Sequence, residues 1–189
     1  MKTYEQMVDL FERANSLFVE NDRDLFVSNI NERTLCGALM LHLRNLIRND
    51  PSYIGYYTDV EYNRNQGKIK TLVQRDTLPE LKILRINCDL ILHSRGRHPE
   101  QDNLIAVEMK KSSRPEREKE SDRDRLIALT ADSFDNIWAF DGHSLPEHVC
   151  RYVLGVFYEI DLPQKEIIIE YYHKGKKVEQ YKLPFEQVT

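Results

Sequence analysis

The chain opens with apolar residues at helical spacing. Between residues 3 and 20, Met7, Val8, Leu10, Phe11, Leu17 and Phe18 gather on one side of a 3.6-residue period, which predicts a first amphipathic helix. A second is predicted from about Asn31 to Arg48, with Leu35, Leu39, Leu43 and Leu46 as its stripe. One turn back along that stripe stands Glu32, an acid aimed inward at the head of a helix. Asn29 with Glu32 three residues on also fits a capping box, and the helix dipole favours an acid there. Asn49-Asp50-Pro51-Ser52 stops this helix.

The period then shortens to two. Tyr56 to Arg64 alternates like a strand, with Glu61 on the face of Tyr57 and Asp59; Asn65-Gln66-Gly67-Lys68 resembles a turn, and Lys68 to Gln74 a return strand. Ile86 to His93 reads as the next strand. Leu84, Ile86, Cys88, Leu90 and Leu92 form its apolar face, and Asp89 looks away from it. Ser94 to Asn103, rich in Gly, Pro and charge, predicts an exposed connection beside a cleft. In the strand Leu104 to Lys111, Ala106, Glu108 and Lys110 share one face, and Ile105, Val107 and Met109 the other.

Ser112-Ser113-Arg114-Pro115 breaks that strand, and a helix is predicted from Glu116 to Thr130. Leu126 and Leu129 mark its buried face, with Asp122 and Arg123 one turn earlier on the same side. Phe134 to Phe140, holding Trp138, reads as core. Val149 to Ile160, Glu166 to His173 and Val178 to Leu183 read as strands, the last two joined through Lys174-Gly175-Lys176 as a hairpin. The predicted fold is α/β or α+β: N-terminal helices, a mixed central β-sheet flanked by helices, and a C-terminal β-hairpin.

Composition narrows the class. A length of 189 residues, with 41% hydrophobic and 31% charged residues, fits one globular domain over 1–189. No apolar run approaches the length of a membrane span and no signal-peptide pattern is present, so a cytoplasmic protein without membrane association is expected. Cys36, Cys88 and Cys150 are widely spaced among apolar neighbours and read as buried reduced thiols. No histidine falls at zinc-ligand spacing. The net charge of −4 does not mark a general nucleic-acid binder; only Lys110, Lys111, Arg114, Arg117, Lys119, Arg123 and Arg125 form a local basic rim, interleaved with acids.

If the strands holding Asp89 and Glu108 pair, Asp89, Glu108 and Lys110 converge at one edge of the sheet. Two carboxylates with open positions suit a hard divalent cation and metal-assisted hydrolysis. The plainer alternative is an Asp89–Lys110 ion pair with Glu108 at a solvated strand end.

Asp89 followed by Glu108-Met109-Lys110 on the next strand resembles the PD-(D/E)XK nuclease superfamily, over roughly residues 30 to 130, with Cys88 where the family name has Pro. That resemblance implies a restriction endonuclease-like core and metal-dependent hydrolysis of phosphodiester bonds in nucleic acid, foremost DNA. It makes Asp89 and Glu108 ligands of Mg²⁺ or Mn²⁺ and has Lys110 orient or help deprotonate the attacking water. An extra acid on the helix before the sheet is common among such nucleases, which points to Glu32 as a further catalytic and metal-binding residue, with Glu61 as runner-up. Cutting both strands of a duplex needs two sites, so a homodimer or larger assembly is expected. The rival readings are a catalytically inactive nuclease-fold protein serving as a structural or interaction module, which the acidic net charge favours, and an unrelated α/β binding protein.

Overall fold

A computed structural model describes residues 1–28, 30–60, 64–65, 68–69, 71–75, 81–85, 88–132 and 151–185. Its helices are α1 (Tyr4–Asn21), α2 (Arg23–Val27), α3 (Glu32–Arg48) and α4 (Glu116–Thr130). The strands are β1 (Tyr57–Val60), β2 (Arg64–Asn65), β3 (Lys68–Ile69), β4 (Thr71–Arg75), β5 (Leu81–Arg85), β6 (Leu90–His93), β7 (Asn103–Lys111), β8 (Leu154–Asp161), β9 (Glu166–His173) and β10 (Lys176–Pro184). Six of them form one mixed sheet in the order β1-β6-β7-β8-β9-β10, while β2–β3 and β4–β5 pair separately. Only the β7–β8 pair of the main sheet is parallel, as its connection through α4 allows.

Local signals explain the element ends. Thr3 and Gln6 close a reciprocal capping box at the start of α1. Asn31 caps α3, its Oδ1 accepting the Thr34 N–H at 2.8 Å, so the carboxylate of Glu32 is not needed for capping. Asn29, the other candidate cap, lies outside the described residues. At the β9–β10 hairpin, Lys174 (φ 50°) and Gly175 (φ 73°) both occupy the left-handed region that a two-residue turn of this kind requires.

Helices cover both faces of the sheet. Met7, Phe11 and Phe18 of α1 and Leu35, Leu39 and Leu43 of α3 pack against Ile105, Val107, Met109, Val156 and Tyr158. On the opposite face Leu126 and Leu129 of α4 meet Ile91, Ala106, Phe157 and Tyr172. Each fully buried side chain of this size contributes about 1.5–3 kcal/mol, and truncating Phe18 to Ala would cost about 3–5 kcal/mol. The approach of α4 is close because β8 carries Gly155 there: a Cβ at that position would lie 2.9 Å from Thr130 Cγ2. Coverage on both faces also explains why all four residues of β6 are buried rather than alternating.

Two expectations are corrected here. The apolar alternation from Leu84 to Leu92 is not one strand: β5 pairs with β4, the central sheet resumes only at Leu90, and Asp89 sits at the bend before it. Cys88 consequently joins the Ile91 cluster under α4, opposite Leu90 and Leu92. A period of two is the same whether one strand or two successive strands generate it. The connection from Ser94 to Asp102 is also not beside Asp89. Since β6 and β7 are antiparallel, with Leu90 opposite Val107 and His93 opposite Asn103, that connection lies at the other end of the pair.

Cys36 and Cys88 are buried free thiols, as expected. Glu61, Cys150 and the segment from Phe134 to Phe140 lie outside the described residues. Among the described residues no helix is long and apolar enough to cross a membrane.

Candidate active site

The site forms where β7 ends. Glu108 and Lys110 face α4, while Met109 points the other way and meets the Cys36 thiol of α3, sulfur to sulfur at 3.6 Å. Beyond Lys111 the chain turns at Ser112 to Pro115 and returns as α4 over the face it has just left. Asp122, Arg125, Leu126 and Leu129 share one side of that helix, so the contacts that seat the leucines also bring Asp122 and Arg125 over β7.

Asp89 stands one residue beyond the Leu90–Val107 rung, where a longer ladder would have set it opposite Glu108. Its Oδ2 accepts the Met109 N–H at 2.8 Å and lies 3.5 Å from Lys110 Nζ. Lys110 Nζ is 2.9 Å from Asp122 Oδ2, and Asp122 Oδ1 is 3.1 Å from Arg125. Arg125 donates to Glu108 Oε1 at 2.5 Å. Glu108 is wholly buried, and its Oε2 has no hydrogen-bond partner. Three carboxylates thus face two cations. The deficit of positive charge falls beside the unpartnered oxygen.

The titration behaviour follows from this arrangement. Burial pushes the Glu108 carboxyl up to about 8; the Arg125 guanidinium opposes the rise, and Asp89 and Asp122 add to it. Arg125 itself stays charged, because Glu108 and Asp122 outweigh the cost of its own burial. Burial also raises Asp89, although Lys110 and the Met109 N–H pull the other way. For Lys110, burial alone would favour the neutral amine, but Asp89, Asp122 and Glu108 reverse that and raise it. The lysine is therefore a fixed cation near neutral pH. It suits charge stabilisation and orientation better than proton abstraction.

Glu32 reaches the same strand end from the other face of the sheet. Its Oε1 accepts the Lys111 N–H at 3.0 Å and lies 3.5 Å from Arg114 Nε. Glu32 and Asp89 line one cavity of about 340 Å³, together with Asn31, Arg33, Cys36 and Val60. The sequence-predicted set is thus brought to one strand end, with Glu32 and Asp89 on the cavity and Glu108 held behind it by α4.

Among the described residues no three His, Cys, Asp or Glu side chains are grouped to hold a metal ion by themselves. The donors that are present still suit a hard divalent cation, which binds through one or two carboxylates and keeps several waters. The orphaned Glu108 Oε2 is the observation that fits: a buried carboxylate oxygen without a donor needs a cation or a proton.

Sequence reasoning did not single out Arg125 or connect Asp122 to Lys110. The signal available was the Leu126–Leu129 stripe, since Asp122 and Arg125 lie one turn before those two leucines. Arg123, considered for a phosphate contact, is instead committed to Glu116, Glu159 and Glu170 and sits 4.3 Å above the Phe157 ring. Lys119 pairs likewise with Glu116 and Glu159, so much of the expected basic rim is neutralised internally. Compared with protein-family models, with curated proteins and with solved structures, the chain matches none.

Proposed function

We propose that this chain is a metal-dependent phosphodiesterase of the PD-(D/E)XK kind that acts on nucleic acid, with DNA as its foremost substrate. One observation carries the reading: Asp89 is pinned on the Met109 N–H beside Lys110, on the strand whose Glu108 keeps an unpartnered buried oxygen. Asp89 and Glu108 would hold Mg²⁺ or Mn²⁺, with Glu32 across the cavity as a further acid. A bound divalent cation would polarise the phosphoryl oxygens and lower the pKa of a coordinated water. Lys110, kept charged by Asp89 and Asp122, would stabilise negative charge developing on the phosphate. Asp122 is a positioning residue, since it acts through the ammonium. The α/β architecture, with Glu108 on β7 and Asp89 at the bend that leads into the adjacent β6, accords with this proposal.

The test is cleavage of plasmid and of labelled single-stranded DNA in Mg²⁺ or Mn²⁺, alongside Mn²⁺ binding by calorimetry. Wild type should bind and cut, and Asp89→Asn and Lys110→Ala should not cut. A flat Mn²⁺ isotherm, or cleavage that survives both substitutions, rejects the proposal.

A second reading rests on the 2.5 Å contact between Arg125 and Glu108, which places a guanidinium on the carboxylate a metal would use. On that reading the chain is a non-catalytic module retaining the fold. The same isotherm separates the two.

A further inference from the structure

A second cavity, of about 500 Å³, opens on the far side of the Glu32–Lys111 contact. Lys110 and Lys111 are consecutive on β7 and point to opposite faces, so the strand end that presents Lys110 to the proposed site presents Lys111 to this cavity. Its floor is apolar. Phe26 of α2 and Phe185 are buried there and stacked, their ring centroids 5.1 Å apart at 23°. Lys111, Ser112 and Lys165, which are half-buried or exposed, complete the lining, with Val27 largely exposed at the rim. The cavity therefore pairs buried aromatic and apolar residues with two lysines and a serine nearer solvent. Its volume lies within the range of about 300–1,000 Å³ usual for ligand sites.

We infer that this cavity takes one unpaired nucleobase of the substrate strand, with the adjoining phosphate at Lys111 and Lys165, which makes single-stranded DNA the preferred substrate. This rests on the phosphodiesterase reading above. Charge complementarity selects the occupant: the chain is acidic overall, with a net charge of −4, yet the lining of this cavity carries two lysines. An amphipathic ligand with a flat apolar body and an adjacent anion matches that lining, and a nucleotide is such a ligand. Continuity supports it, because Lys111 on this cavity follows Lys110 in β7, and its N–H is held by Glu32, which lines the other cavity beside Asp89. A base stacked inside a duplex cannot enter, and extracting one costs unstacking and unpairing energy. An unpaired base needs neither, and its burial against apolar and aromatic side chains is sequence-tolerant.

Fluorescence anisotropy tests the inference, using a labelled single strand of DNA and the same strand in a duplex, with Ca²⁺ replacing Mg²⁺ to limit turnover. The single strand should bind about tenfold more tightly than the duplex, the scale of one base contact. Val27→Trp, a change at a position 64% exposed, should fill the cavity and weaken single-strand binding by about tenfold, with duplex binding unchanged. A strand with one abasic position beside the cleaved phosphate should show the same loss on wild type and no further loss on Val27→Trp, as expected of a shared contact. The abasic strand keeps the result independent of how Val27→Trp folds. Equal affinity of wild type for abasic and intact strands, with Mn²⁺-dependent cleavage retained, overturns the base site and leaves the phosphodiesterase reading standing. Absence of both DNA binding and cleavage in wild type overturns both.

Discussion

Arg125 of α4 donates to the buried Glu108 carboxylate of β7 at 2.5 Å, across 17 residues of sequence. The pair joins the helix to the strand and sets the charge balance around Lys110. Removing the arginine leaves an uncompensated carboxylate in the interior. Arg125→Met should cost about 3–5 kcal/mol at pH 9, where Glu108 is ionised, and clearly less at pH 5, where it is protonated. Urea unfolding at the two pH values measures this. Equal losses at both would mean that the pair contributes packing rather than charge.

The pH dependence of wild type has a definite sign. Glu108 titrates at about 8 in the folded protein against an ordinary value of 4.5, so between these values the native state holds a proton that the unfolded chain has released. Its contribution to stability is complete below about pH 4.5, declines as pH rises, and is lost through pH 8. Melting temperatures from pH 5 to 9 should fall along this window in wild type, and the slope should flatten in Glu108→Gln. An unchanged slope in the variant would assign the effect to another group.

Asp89→Asn separates a metal ligand from a structural acid. Asparagine keeps an oxygen to accept the Met109 N–H, so the metal-free variant should lie within about 1 kcal/mol of wild type. Mn²⁺ at a hundred times its dissociation constant should stabilise wild type by about 2.7 kcal/mol and leave the variant unmoved. Strong destabilisation by Asp89→Asn, with no metal effect on wild type, would make the acid structural.

Glu32→Gln asks whether the acid on α3 acts in the reaction. Glutamine can still accept the Lys111 N–H, and Asn31 supplies the helix cap, so the fold should hold to within about 1 kcal/mol. Cleavage should drop severely. Near-normal cleavage at unchanged stability would remove Glu32 from the chemistry and leave Glu61 as the remaining third acid to test.

Gly155→Ala tests how closely α4 must approach. The added Cβ would stand 2.9 Å from Thr130 Cγ2 and 3.1 Å from Tyr172 Cβ, and overpacking of this kind costs about 1–3 kcal/mol. Because α4 also carries Asp122 and Arg125, cleavage should fall further than the fraction unfolded accounts for. Activity that tracks the folded fraction alone would show that the site does not depend on helix seating.

Much of the scaffold is legible in the sequence because its determinants are local. The stripes of α1 and α3, the breaker Ser112–Pro115 before α4, the alternation of β7 and the Lys174–Gly175 turn each act over a few residues, through side-chain period, capping and backbone dihedral preference. Strand alternation by itself sets Glu108 and Lys110 on one face of β7. What only the tertiary structure decided was which elements pair. The pattern of Leu84 to Leu92 does not record that β5 pairs with β4 outside the main sheet and that β6 begins after Asp89. Nor does local pattern record that α4, crossing from β7 to the parallel β8, sets Arg125 on Glu108 and Asp122 on Lys110. Ion pairs between elements remote in sequence depend on sheet order and helix seating. A charge written along the chain looks the same whether it meets solvent or a buried carboxylate.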